Sequence, residues 1–146
     1  MLLGAALMSK PGTYVLRVTF QLPTSVSLDK FISAWDTMTQ SAEIVRTRLV
    51  KDEDAGAVQV VTKGFQWDHY NDLKEFEAEE FPRMDFGTPL TRLGVVKNSP
   101  GGTPVFVFTM HHALYDAFSL NIIFAEVSKL YTTVRSDIHL VSYNTH

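Results

Sequence analysis

The residues best equipped for chemistry in this chain lie in one string, Met110-His111-His112-Ala113-Leu114-Tyr115-Asp116-Ala117-Phe118-Ser119. Two adjacent histidines follow an apolar run, and an aspartate stands four residues after the second. Imidazole exchanges a proton more readily near neutral pH than any other side chain. A histidine pair at the exit of a buried strand therefore points to acid-base or acyl-transfer chemistry. Acyl transfer needs a nucleophile that loses its proton, a stabilised oxyanion, and two substrates held in line. His112 is the candidate for the first need, either taking the proton or orienting the nucleophile. Asp116, at the start of the helix that follows, is placed to cap that helix or to pair with an arginine and hold the loop. It lies too close along the chain to be assigned the aspartate of a triad.

Other readings stand beside this one. The pair is also explained as histidines packed at a strand end and satisfied by backbone hydrogen bonds. A metal site would draw on the same residues, His111, His112 and Asp116. Adjacent histidines point opposite ways if the strand continues, however, and His69, His139 and His146 add no ligand spacing, so no metal is expected. The Gly-x-Ser-x-Gly turn of a serine hydrolase is absent, and Ser119 reads as a packing or locally hydrogen-bonding residue. The chain has no cysteine, which excludes disulfides and thiolate chemistry and fits a reducing, cytoplasmic setting.

The elements that must position the histidines follow from periodicity. Tyr14 to Gln21 alternates as a strand and ends at Pro23, after the break at Lys10-Pro11-Gly12. Ser27 is an N-cap, with Asp29 in the first turn. Leu28, Phe31, Ile32, Trp35 and Met38 then recur at helical spacing, predicting a helix to about Val45. Arg46 to Lys51 and Ala57 to Lys63 read as strands joined by the turn Asp52-Glu53-Asp54-Ala55-Gly56. Arg46 and Arg48 read as solvated on residue type alone. Asp72 to Phe81 reads as a short acidic helix stopped by Pro82, its glutamates facing water. Leu90 to Lys97 is a strand, Asn98-Ser99-Pro100-Gly101-Gly102 a turn, and Pro104 to Met110 a strand apolar on both faces, as a central strand must be. Leu120, Ile123, Phe124, Val127, Leu130 and Tyr131 mark a one-sided helix, and from about residue 134 to 146 an irregular tail is expected. The outcome is an α/β (α+β) sandwich, a mixed β-sheet covered by helices. The histidines stand at the carboxyl end of its most buried strand, where open α/β sheets bind ligands.

Composition bounds the rest. A chain of 146 residues with 45% hydrophobic and 20% charged residues has room for one domain with a real core, so residues 1–146 are read as a single domain. The net charge of -3 and the scatter of its 13 basic residues give no footprint for nucleic acid. The apolar start Met1-Leu2-Leu3-Gly4-Ala5-Ala6-Leu7-Met8 lacks a leading basic residue and runs only about eight residues, too short to span a membrane. It is read as the end of an amphipathic helix.

The histidine string closely resembles the H-H-x-x-x-D-x-x-S signature of condensation domains in nonribosomal peptide synthetases, and His-His-Ala-Leu-Tyr-Asp looks like the wording of fungal members. Ser41-Ala42-Glu43-Ile44-Val45-Arg46-Thr47 is similar to the family's R-H-E-x-L-R-T motif and keeps its Glu, Arg and Thr. Asp85-Phe86-Gly87-Thr88-Pro89-Leu90-Thr91-Arg92 is similar to its Pro-Leu-x-Arg segment. Lys10-Pro11-Gly12-Thr13-Tyr14-Val15 resembles the segment after its first helix. The order agrees across about residues 1–133.

The resemblance implies a chloramphenicol-acetyltransferase-like lobe, the N-terminal half of a condensation domain clipped at both ends. The tunnel of such a domain lies between two lobes and joins an acyl or peptidyl group to an amine. It implies no directly bound cofactor, but substrates carried on phosphopantetheine arms. The partners it implies are the C-terminal lobe and carrier domains, within peptide or siderophore biosynthesis. By the same carry-over His112 is catalytic, while His111, Asp116 and Arg46 are structural and Ser119 stands at the end of the signature. Ala117 replaces the usual glycine, and Ser41 and Ala42 replace an Arg-His pair. Alone, such a lobe is expected to be inactive and to expose an apolar patch. A noncatalytic lobe that docks carriers, or a small oligomeric acyltransferase, are the alternatives.

Overall fold

Strand β6, Val105–His111, is the centre of the molecule, and all of its residues are buried. A computed structural model describes residues 15–79, 84–114 and 117–136, with the backbone alone for 113, 117–119 and 134–136. Strand β6 pairs antiparallel with β1 (Val15–Gln21) on one side and with β5 (Thr91–Asn98) on the other. Strand β4 (Trp67–Asp72) then joins β5 in parallel, giving the order β1-β6-β5-β4. The sheet is mixed, as its sequence predicts. A separate antiparallel hairpin is formed by β2 (Thr47–Asp52) and β3 (Gly56–Val61).

Alternation along β6 sends its side chains into two layers. Phe106, Phe108 and Met110 enter a core beneath two helices, α1 (Leu28–Ser41) and α3 (Ala117–Ser136). Trp35 of α1 is 1% exposed, with its ring centroid 5.1 Å from Phe106 and 5.7 Å from Phe108. Ile123 and Val127 of α3 close the same cluster. On the opposite face Val105 and Val107 pack with Tyr70 and Val96 under the short helix α2 (Leu73–Ala78), through Leu73 and Phe76.

Most element boundaries shift by a residue or more from those expected, and one strand is new. Helix α1 ends at Ser41, not near Val45, and a 3-10 turn spans Glu43–Arg46, so β2 begins at Thr47. The cause is Arg46. Its guanidinium bonds the carbonyls of Thr39 and Gln40 at the end of α1, occupying acceptors that a longer helix would have bonded itself. Strand β4 was not legible, because Trp67-Asp68-His69-Tyr70-Asn71-Asp72 has no apolar alternation. It is held on the sheet edge by the β5 ladder, by burial of Tyr70 and by polar partners, and Asp72 ends it by capping α2, accepting from the Glu75 N–H at 2.9 Å. Helix α3 runs to Ser136, beyond the residue-134 limit.

The two turns read from sequence are present. The Asp52 carboxylate accepts from the N–H groups of Asp54 and Ala55, and Gly56 takes a φ of +84° that closes the hairpin. Helix α2 spans only Leu73–Ala78, and Glu79 is already extended, so it stops short of the expected Phe81 and before Pro82. The Lys10-Pro11-Gly12 break, the apolar start, Tyr14, His139, His146 and the tail from 137 lie outside the described residues.

Candidate active site

The site is built at the carboxyl end of β6. His111 is the last residue of that strand and is 1% exposed. Its backbone N–H donates to the Leu90 carbonyl at 2.8 Å, which ties the strand end to the segment leading into β5. His112 opens the 3-10 turn His112–Leu114 and is exposed. Leu114, 8% exposed, returns to the core beneath the helices. The turn is therefore pinned at both ends, and His112 stands outward between two buried neighbours. This is the expected place for it, past the strand and just before Ala117, where α3 begins. The difference is that His111 belongs to the strand itself.

The remaining sequence candidates fall as follows. Asp116 lies outside the described residues. Ala117 and Ser119 lie in the first turn of α3, where only the backbone is described. Among the described residues, no group of three His, Asp or Glu side chains could hold a metal ion. Arg46 is not a solvated arginine. It donates to Thr39 O at 2.7 Å, to Gln40 O at 3.1 Å, and to Thr62 O, tying the end of α1 to the end of β3. Arg48 is also half-buried, and its Nη1 donates to the Gly87 carbonyl at 3.1 Å.

A polar network missed at the sequence level underlies His111. In antiparallel pairs, facing residues share a side of the sheet. Arg17 and Arg92 both face Thr109, which is two residues before His111 and on its side. Arg17 Nε donates to Thr109 Oγ1 at 3.1 Å. Arg92 pairs with Asp68 through Nη2 at 2.8 Å and Nε at 2.9 Å. Glu79 lies 3.7 Å from each arginine and accepts the Tyr70 hydroxyl at 2.7 Å. Burial, followed by that bond to a carboxylate, raises the Tyr70 phenol well above its ordinary range. So Glu79 is not a purely solvated member of the acidic stretch. The available signal was an arginine standing among β-branched and apolar residues in each of two strands.

Beside the network, where β4 and β5 begin and β6 ends, a cavity of about 690 Å³ opens between the hairpin and the sheet, its wall including Arg46, Arg48, Phe65, Asp68, Thr91 and Arg92. Its β5 wall adjoins Leu90, which accepts from His111. The cavity and His112 thus lie at one end of the sheet. The geometry can present an imidazole to a substrate approaching from solvent and hold part of that substrate against the hairpin.

Comparison with known proteins identifies the family and the fold. The Condensation domain family matches residues 1–146. Cyclochlorotine synthetase of Talaromyces islandicus is 41% identical over 125 residues, covering 85% of this chain and 2% of its own length. The N-benzoylphenylalaninol synthetase apmA of Penicillium brevicompactum is 38% identical over 119 residues, covering 80% of this chain and 5% of its own. Among solved structures, the starter condensation domain of rhizomide synthetase RzmA superposes with a TM-score of 0.68 at 16% identity, over 90% of this chain and 35% of that one. The condensation domain that mediates chain release from the enacyloxin polyketide synthase gives 0.61 at 18%, over 80% and 25%. The chain thus spans a few per cent of its curated relatives and about a third or less of these solved chains.

Proposed function

The chain belongs to the condensation-domain family and has its chloramphenicol-acetyltransferase-like fold, and from that premise we propose that it forms the histidine-bearing wall of a site for amide-bond formation in nonribosomal peptide synthesis. The observation that carries this reading is the placement of His112, exposed between the buried His111 and Leu114 at the end of the central strand. A backbone anchored on both sides of His112 sets where its imidazole can meet a substrate.

The reaction is transfer of an acyl or peptidyl group from a carrier-bound thioester to a carrier-bound amine. The amine nitrogen attacks the thioester carbonyl carbon, and a C–N bond forms as the carbonyl oxygen takes the electron pair. Collapse of this tetrahedral species breaks the C–S bond and releases thiolate. His112 takes the proton the amine must shed, or holds the amine in line, and the proton ends on the leaving sulfur. The phosphopantetheine arms belong to the carriers, so the chain itself needs no bound cofactor. His111 and Arg46 serve this reading by holding the strand end and the hairpin.

An imidazole exposed to water on one wall does not align two substrates. We therefore assign the opposite wall to a second lobe of the same domain. The test is His112→Ala in a complete two-lobed domain with loaded donor and acceptor carriers. Turnover should fall by about 10²- to 10⁴-fold if the ring is a general base. A fall below about tenfold assigns the ring to positioning. An unchanged rate overturns the proposal in favour of a lobe that only docks carriers. The 146-residue chain by itself should show no turnover.

A further inference from the structure

The cavity beside the histidine turn holds more arginine than carboxylate among the described residues. Three arginines and one aspartate line it: Arg46, Arg48, Arg92 and Asp68. Arg92 is balanced by Asp68 and Glu79. Among the described residues, Arg46 and Arg48 meet only neutral backbone carbonyls, those of Thr39, Gln40, Thr62 and Gly87. Two guanidinium charges therefore face a recess where the reduced dielectric strengthens their pull on an anion.

We propose that this cavity is the subsite for a carboxylate carried by the acyl or aminoacyl group undergoing transfer, with Arg48 as the residue that reads it; the inference rests on the acyl-transfer reading above. The two arginines divide the work. Arg46 already donates through Nε, Nη1 and Nη2, so it contributes charge rather than new contacts. Arg48 spends only Nη1 on Gly87. Its remaining donors form a planar fork that matches the two oxygens of a carboxylate. The volume of about 690 Å³ suits a small organic group rather than a bare ion, and Val45, Phe65 and Pro89 give it an apolar wall for methylenes. The position suits a substrate group as well, since the cavity and His112 share one end of the sheet.

The test is direct binding to the 146-residue chain, read by titration calorimetry with N-acetylglutamate, N-acetylglutamine and inorganic phosphate as probes. N-acetylglutamate should bind at least about tenfold more tightly than the amide, since only the carboxylate makes a charge-assisted pair. Arg48→Gln should remove that preference. Arg48→Lys, which keeps the charge and loses the fork, should weaken N-acetylglutamate binding several-fold and serves if the glutamine variant does not fold. Absence of binding by any probe, equal affinity for acid and amide, a preference untouched by either variant, or phosphate bound as tightly as N-acetylglutamate each overturns the inference. Binding is read without turnover, so these results leave the role of His112 to its own experiment.

Discussion

At the residue scale, the site depends on groups whose partners are complete and on one whose partner is absent. Thr91 is 2% exposed, and its hydroxyl has no hydrogen-bond partner among the described residues. A buried unpaired hydroxyl costs stability, and valine fills the same volume in a strand without it. Thr91→Val should therefore leave the unfolding free energy unchanged or raise it by about 1 kcal/mol in urea titrations. A loss of that size would show that the hydroxyl is bonded in solution. Tyr70 gives a pH prediction. Its folded pKa lies above the ordinary value of 10.0, through burial first and the Glu79 bond second. The unfolded chain then sheds this proton first as pH rises, so the stability that Tyr70 contributes is complete below about pH 10 and is lost above it. Denaturant midpoints of the natural chain should fall more steeply above that pH than those of Tyr70→Phe. Parallel curves would show that Tyr70 titrates normally.

At the element scale, Arg46 acts as a clasp between α1 and the hairpin. Its charged donors serve the last carbonyls of α1 and the carbonyl of Thr62 just after β3. Arg46→Met removes these bonds and leaves the carbonyls short of partners, which should cost about 3 kcal/mol of unfolding free energy in urea. Arg46→Lys, a point charge without the fork, should recover less than half of that. A loss below about 0.5 kcal/mol would place Arg46 with ordinary surface arginines. The same clasp explains a misplaced boundary. Helical periodicity runs on into Ile44 and Val45, while the chain stops helix at Ser41 because a side chain further along bonds the final turn. Periodicity reports which face is apolar, and a cap made from outside the helix leaves no mark in it.

At the scale of the whole molecule, the hairpin carries a run of partly exposed valines. Val50 faces Val58 across the ladder, and Arg48 faces Val60, so these valines share one side of the ribbon with the cavity arginine. Val50, Val58 and Val60 are 38%, 37% and 39% exposed. Together they form a small exposed apolar stripe on the hairpin. The double variant Val58→Thr with Val60→Thr should reduce hydrophobic-dye binding and self-association, with stability held within about 0.5 kcal/mol because the side chains are solvated. Undiminished dye binding would place the sticky surface elsewhere. Among the described residues, no helix is long and apolar enough to cross a membrane.

The sequence by itself determined the parts of this protein that repeat along the chain. Strand β6 was legible because a run apolar on both faces has one stable place, the middle of a covered sheet, and α3 because its apolar residues keep to one side. The histidine string was legible as local chemistry at the junction of those two elements. The tertiary structure alone decided what depended on partners distant in sequence. Strand β4 exists because it finds β5 as a ladder partner, an apolar cluster for Tyr70, and Arg92 and Glu79 for its polar groups. The roles of Arg46 and Arg48 follow from carbonyls that the chain brings to them, and the separation of a buried His111 from an exposed His112 follows from Leu90 and Leu114 on either side. Periodicity encodes burial one element at a time. The pairing of charges and the opening of a cavity between elements are set only when those elements meet.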